Sequence, residues 1–132
     1  MCPSPQPRPR EARDAAGERA REAAAEAARI ADGRRAFDVV VLHVEELINV
    51  TDYFVIASAG NKRQIRAIAR DIVEALEDGG FRNVRVEGLP EASWVLIDAG
   101  TLVVHVFRED LREYYDLELL WGDAPEVAWS ET

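Results

Sequence analysis

Hydrophobic positions along the chain repeat with two different periods. Between Lys62 and about Asp78, Ile65, Ile68, Ala69, Ile72, Val73 and Leu76 recur at i, i+3, i+4, i+7, i+8 and i+11. That spacing draws one continuous apolar face on a helix. Asn61 stands as its N-cap, Gln64 three residues on completes a capping box, and Gly79-Gly80 stops it. Elsewhere the runs are short and β-branched. Phe37–Val44 and Tyr53–Ser58 read as strands, the first of a kind covered on both faces. Val84–Glu87 is a weaker third, ended by Gly88 and Pro90. Trp94–Ile97 and Leu102–Phe107, joined through Asp98-Ala-Gly-Thr101, form a β-hairpin.

Two further helices frame these elements. Glu11–Asp32 is rich in Ala, Arg and Glu, with Ala20, Ala23, Ala24, Ala27, Ile30 and Ala31 on one face and Gly33 at its end. Glu18–Arg21 and Glu26–Arg29 are spaced for i,i+3 pairing. A stripe of alanines buries little area, so this helix is expected to dock lightly and fray at its start. The last helix starts at Asp110, with Glu113 at the box position, and carries Leu111, Tyr114, Tyr115, Leu119 and Leu120 toward Trp121. The order is helix, two strands, helix, three strands, helix, without internal repeat. It predicts an α+β, three-layer-like α/β fold: a mixed sheet of about five strands flanked by helices. The proline-rich opening makes residues 1–17 a disordered leader, residues 18–124 the domain, and residues 125–132 an acidic tail.

Composition narrows the class. The chain has 132 residues, 48% of them hydrophobic, enough for one core and too many for wholesale disorder. No run approaches the roughly 20 apolar residues of a membrane span. One cysteine, Cys2, excludes an internal disulfide framework and a cysteine-based zinc site, and His43 and His105 leave little for metal ligation. The opening MCPSPQPRPR has no apolar targeting core, so a reduced cytoplasmic setting is expected. Charge is divided unevenly: residues 1–36 hold 8 Lys+Arg against 6 Asp+Glu, and residues 37–132 hold 8 against 19, which sums to the net −9. So acidic a folded part lacks the basic footprint of nucleic-acid binding and suits a basic protein surface, although acidity also serves solubility alone.

The candidate chemistry is sparse. Ser58-Ala-Gly-Asn-Lys-Arg63 joins a strand to a helix N-terminus that could hold an anion, but it lacks the spacing of a P-loop or of G-x-G-x-x-G, and capping alone explains Gly60 and Asn61. No strand carries the Asp-x-Asp or Asp-x-Glu pair that two-metal nucleotidyl transfer uses. His105 alternates with Val104 and Val106 and has no nucleophile beside it in sequence, so it reads as structural rather than as a base. Asn49-Val-Thr51 matches a glycosylation acceptor by coincidence. Trp94, Leu96 and Asp98 point one way from the hairpin, and His105 and Phe107 can join that face. With Tyr114, Tyr115 and Trp121, aromatics gather where residues 108–132 hold 2 Lys+Arg and 8 Asp+Glu. Aromatic anchors with an acidic rim fit a basic protein partner; the same aromatics also fit an ordinary core.

At these residues the chain resembles the Iojap/RsfS family of ribosomal silencing factors. The matching stretches are Thr51-Asp-Tyr-Phe-Val-Ile-Ala-Ser-Ala-Gly-Asn-Lys-Arg-Gln64, Ala92-Ser-Trp-Val-Leu-Ile-Asp-Ala-Gly100, Val103-Val-His-Val-Phe107 and Arg112-Glu-Tyr-Tyr-Asp-Leu-Glu-Leu-Leu-Trp121, in order within about residues 18–124. The resemblance implies a nucleotidyltransferase-like fold without the catalytic carboxylates, and hence no enzyme and no cofactor. It implies binding to the large ribosomal subunit at its basic ribosomal protein numbered fourteen, which blocks joining of the small subunit and damps translation when nutrients are scarce. It assigns the contact to Trp94, Asp98, His105 and Tyr115, with Leu96 and Leu120 as weaker nominations. A homodimer through the hairpin, and a nucleotide-binding or residual nucleotidyltransferase role for Ser58–Arg63, are the alternatives. His43 stands where the family often has Asp, and Ala59 where it usually has Gly, with Gly60 next door to supply any positive φ.

Overall fold

The computed structural model describes residues 10–44, 51–110 and 124–129, with side chains from Gly17 onward. Its elements are α1 (Arg10–Gly33), β1 (Phe37–His43), β2 (Tyr53–Ala59), α2 (Lys62–Asp78), β3 (Arg85–Glu87), β4 (Trp94–Asp98) and β5 (Leu102–Arg108). The five strands form one sheet in the order β1-β2-β5-β4-β3. β2 and β5 are parallel, whereas β1–β2, β5–β4 and β4–β3 are antiparallel. The predicted mixed α+β sheet is therefore present. The last helix expected from Asp110 lies outside the described residues, as does the polar loop 45–50.

Strand alternation divides the sheet into two faces. Tyr53, Val55, Ala57 and Ala59 of β2, Leu102, Val104 and Val106 of β5, and Val95 and Ile97 of β4 meet α1 and α2 in the larger core. From α2 come Ile65, Ile68, Ala69, Ile72 and Leu76, the stripe its periodicity predicts. The helix starts as expected at Asn61, whose side chain accepts a hydrogen bond from Gln64 N at 2.8 Å. In return Gly60 N, one residue before the cap, donates to Gln64 Oε1 at 2.9 Å.

α1 departs from expectation. Ala20, Ala24, Ala27, Ala28 and Ala31 are buried to within 2% of completely, so the alanine face is tightly docked. Small side chains bury little area each, but they let the helix backbone approach the sheet closely, and close packing supplies the contact that size does not. Described arginines in α1 and just beyond its end reach across the fold. Arg19 donates to Gly79 O at 2.7 Å and lies 4.9 Å over the Phe81 ring, and Arg34 meets Asp71 at 2.6 Å. α1 also begins at Arg10, inside the segment assigned to the leader; residues 1–9 lie outside the described residues.

The segment after 124, expected to be a tail, instead packs on β1. His43 N donates to Pro125 O at 2.9 Å, Val127 N donates to Val41 O at 2.8 Å, and Leu42 bridges Glu126 in antiparallel fashion. Trp129 Nε1 donates to Val39 O at 3.2 Å, and Arg29 donates to Trp129 O at 3.1 Å. Val127 and Trp129 pack against the larger core, which carries the domain past 124. The physical reason is that an edge strand's unpaired backbone groups attract an extended partner, and this segment supplies one.

Candidate functional site

The second face of the sheet is built differently. Phe54 and Ile56 of β2, Phe107 of β5, Leu42 and Val44 of the β1 arm, and Ala124 form a smaller cluster, joined by Val40, Val103 and Trp94. The register sets Trp94 opposite Phe107, Leu96 opposite His105 and Asp98 opposite Val103. Trp94, Leu96 and Asp98 thus form a half-buried row along β4 at i, i+2 and i+4, as the hairpin alternation predicts. Beside them β5 presents Val103, His105 and Phe107, and β2 presents Phe54 and Ile56 opposite Val103 and His105.

Trp94 is held rather than loose. Its ring lies 5.0 Å from Phe107 at 25°, and its Nε1 donates to His105 Nδ1 at 3.2 Å. His105 is itself only 5% exposed, with the Phe54 ring set edge-on at 4.9 Å. Because Nδ1 accepts a hydrogen bond, the proton of the neutral ring sits on Nε2. Nε2 has no hydrogen-bond partner among the described residues. Burial pushes the His105 pKa down from 6.5 to about 4, so the ring is neutral at physiological pH. The reading of His105 as a structural histidine agrees with this geometry: it lies beneath Trp94.

Asp98 closes the hairpin. Its Oδ1 accepts from Gly100 N at 2.9 Å, and Gly100 sits at φ +87. A side-chain turn of this kind suits Asp, and the positive φ suits Gly. Asp98 Oδ2 has no hydrogen-bond partner among the described residues. At the other end of β4, Gly88 holds φ +90, and a Cβ built there would lie 2.2 Å from Trp94 O. A glycine is thus required directly under the backbone of Trp94. Tyr115 and Leu120 lie outside the described residues.

Phe54, Val103 and Phe107 belong to the same face, although none of the three is among the nominated contacts. The period-two alternation of β2 and β5 contained that signal, but only the parallel pairing of these two strands brings Phe54 against His105. The turn at Ser58–Arg63 is occupied by its own side chains: Gly60 N and Gln64 N are bonded to Gln64 Oε1 and Asn61 Oδ1. An anion would have to displace both. Positive φ among the described glycines falls at Gly80, Gly88 and Gly100, so Gly60 does not supply one beside Ala59. No group of three or more His, Cys, Asp or Glu placed to hold a metal occurs among the described residues, and no described helix is long and apolar enough to cross a membrane.

Comparison with known proteins agrees with this architecture. A family model described as "Ribosomal silencing factor during starvation" matches residues 17–132. The ribosomal silencing factor RsfS of Bacillus subtilis is 46% identical over 99 residues, covering 75% of this chain and 84% of its own length. The mouse protein named "Mitochondrial assembly of ribosomal large subunit protein 1" is 33% identical over 87 residues, covering 64% of this chain and 38% of its own. A crystal structure of a Chromobacterium violaceum protein superposes with a TM-score of 0.69 at 32% identity, covering 73% of this chain and 80% of that one. A family model spanning nearly the whole folded part, and a relative this similar over most of both lengths, leave one assignment: the chain belongs to the RsfS/Iojap family of ribosomal silencing factors.

Proposed function

We propose that this protein is a non-enzymatic, cytoplasmic translational repressor. It binds the large ribosomal subunit through the subunit's ribosomal protein numbered fourteen and sterically blocks joining of the small subunit. The observation that carries the reading is the row Trp94, Leu96 and Asp98 on the sheet face away from α1 and α2. It combines an aromatic anchor, an aliphatic neighbour and a carboxylate, the composition of a contact for a basic protein surface. Family membership supports the ribosome as the target, and the name of the mouse relative points to the large subunit. Trp94 is the anchor, and Asp98 Oδ2 accepts from a Lys or Arg of the partner. His105 acts through Trp94, fixing the indole by its Nδ1. Tyr115 and Leu120 remain nominated contacts on the resemblance alone.

The test is sedimentation of purified subunits with and without the protein. Co-migration with the large subunit and loss of joined ribosomes are expected. Trp94→Ala should weaken large-subunit binding by ~30- to ~900-fold, the range of a hot-spot truncation. Asp98→Asn keeps the bond to Gly100 and removes only the charge, so it separates recognition from turn closure. If both variants keep their fold and bind unchanged, the row on β4 is not the interface.

A further inference from the structure

One side chain ties the helix layer to the start of β4. Arg66 leaves the flank of α2 and donates from Nε to Leu89 O at 3.0 Å and from Nη2 to Pro90 O at 2.6 Å. Both carbonyls belong to Gly88–Ala92, within the connection that leads from β3 to Trp94. Ala92 N closes this connection on itself by donating to Gly88 O at 2.8 Å. Three successive carbonyls, of Gly88, Leu89 and Pro90, are thus all engaged. The backbone here is strained. Gly88, at φ +90, has no room for a Cβ under Trp94 O, and the buried Ala92 takes φ +48, in the left-handed region that disfavours a side chain. Such a conformation persists only where its surroundings over-determine it.

We propose that Arg66 is a positioning residue for the Trp94 row: by clamping Leu89 O and Pro90 O it holds the strained Gly88–Ala92 connection and so sets the Trp94 indole on His105. The chain of contacts is short. Immediately after the connection, Ser93 O accepts from Arg108 N at 2.8 Å, and Trp94 then pairs with Phe107 and donates to His105 Nδ1. A planar guanidinium spans two adjacent carbonyls from one group, which the single ammonium of a lysine does not. The consequence for binding rests on the row being the ribosomal contact, whereas the placement of Trp94 does not. Arg19 forms a like tether at the other end of α2, to Gly79 O at 2.7 Å, and serves as the control.

The experiment records the Trp94 indole N–H resonance of the full chain by nitrogen–proton correlation NMR, assigned by its loss in Trp94→Phe. Arg66→Met keeps the aliphatic stem and removes every donor. It is expected to move or broaden the Trp94 resonance, to leave that of Trp129 in place, and to weaken large-subunit binding by ~10-fold. Arg66→Lys should fall between Arg66→Met and the parent chain. Arg19→Met should lower the melting temperature but leave the Trp94 resonance and binding unchanged. In the Trp94→Ala background, Arg66→Met should weaken binding no further. An unmoved Trp94 resonance in a folded Arg66→Met chain would overturn the proposal, as would an equal movement in Arg19→Met or a further loss of binding in the Trp94→Ala background. A moved resonance with unchanged large-subunit binding would uphold the positioning role and count against the β4 row as the interface. Should Arg66→Met not fold, Arg66→Lys takes its place with the same readouts. Loss of fold in both would overturn the proposal, since Arg66 would then hold the fold as a whole.

Discussion

The two faces of the sheet use the same strands for opposite ends. Toward α1 and α2, every core contribution of β2, β4 and β5 is aliphatic, apart from Tyr53, and nearly all are fully buried. The opposite face carries rings: Phe54, Trp94, His105 and Phe107 lean on one another at 4.9–6.1 Å between centroids. On it Trp94, Leu96 and Asp98 are left half-buried. The first face maximises close packing, which stabilises the fold. The second combines large rigid rings with a buried polar pair and a carboxylate, features that cost stability when imperfectly satisfied and that give direction to a contact. Neighbouring residues of one strand therefore belong to different problems.

The sharpest way to break this comparison is to empty the helix-covered face. Ile72→Ala removes a fully buried side chain from the centre of the α2 stripe and should lower stability by about 2–5 kcal/mol in chemical denaturation. The β4 row is expected to keep its geometry in whatever fraction remains folded. A loss below about 1 kcal/mol would mean that the helix layer is not the stabilising one.

The ring face answers to pH instead. His105 binds a proton near 6.5 when unfolded and only near 4 when folded, so between these values the unfolded state holds more protons. Stability therefore falls as pH drops from about 6.5 to about 4 and levels off below, with a full span on the order of 3 kcal/mol. Replacing His105 by Phe should remove this increment from the pH profile while lengthening the distance over which Trp94 is free to move. A variant profile identical to that of the parent chain would show that His105 titrates alike in both states.

Gly88 ties the two faces together at the start of β4. Gly88→Ala forces a left-handed alanine and a clash with Trp94 O, for an expected loss of roughly 2 kcal/mol and a changed Trp94 fluorescence. The smallest and most direct comparison uses adjacent residues. Val104 is fully buried under the helices, and Val103 is half-buried on the ring face. Val104→Ala should cost about 1 kcal/mol more than Val103→Ala, and equal losses would erase the distinction between the faces.

Much of this arrangement is legible along the chain, and the exceptions share a cause. α2 was recoverable because its stripe, its Asn61 cap and its glycine stop are all local signals. The hairpin was recoverable because alternation places Trp94, Leu96, Asp98, His105 and Phe107 on one face before any partner strand is known. α1 misled, because alanine content predicts buried area but not closeness of approach. Pro125–Trp129 misled more, since Pro-Glu-Val-Ala-Trp has no periodicity of its own and its place is set by contacts with the β1 edge.

The sequence by itself determined which segments become helix or strand, which side of each strand is apolar, and where caps and turns interrupt them. These are short-range properties, set by backbone conformation and by periods of 2 and 3.6 residues. Only the tertiary structure decided that β2 lies parallel beside β5, that His105 sits beneath Trp94, and that the chain's end closes the β1 edge. Those outcomes depend on contacts between residues from 11 to 90 positions apart, as in Trp94–His105 and Val39–Trp129. Their free energy comes from burial and hydrogen bonding that exist only once the layers have met.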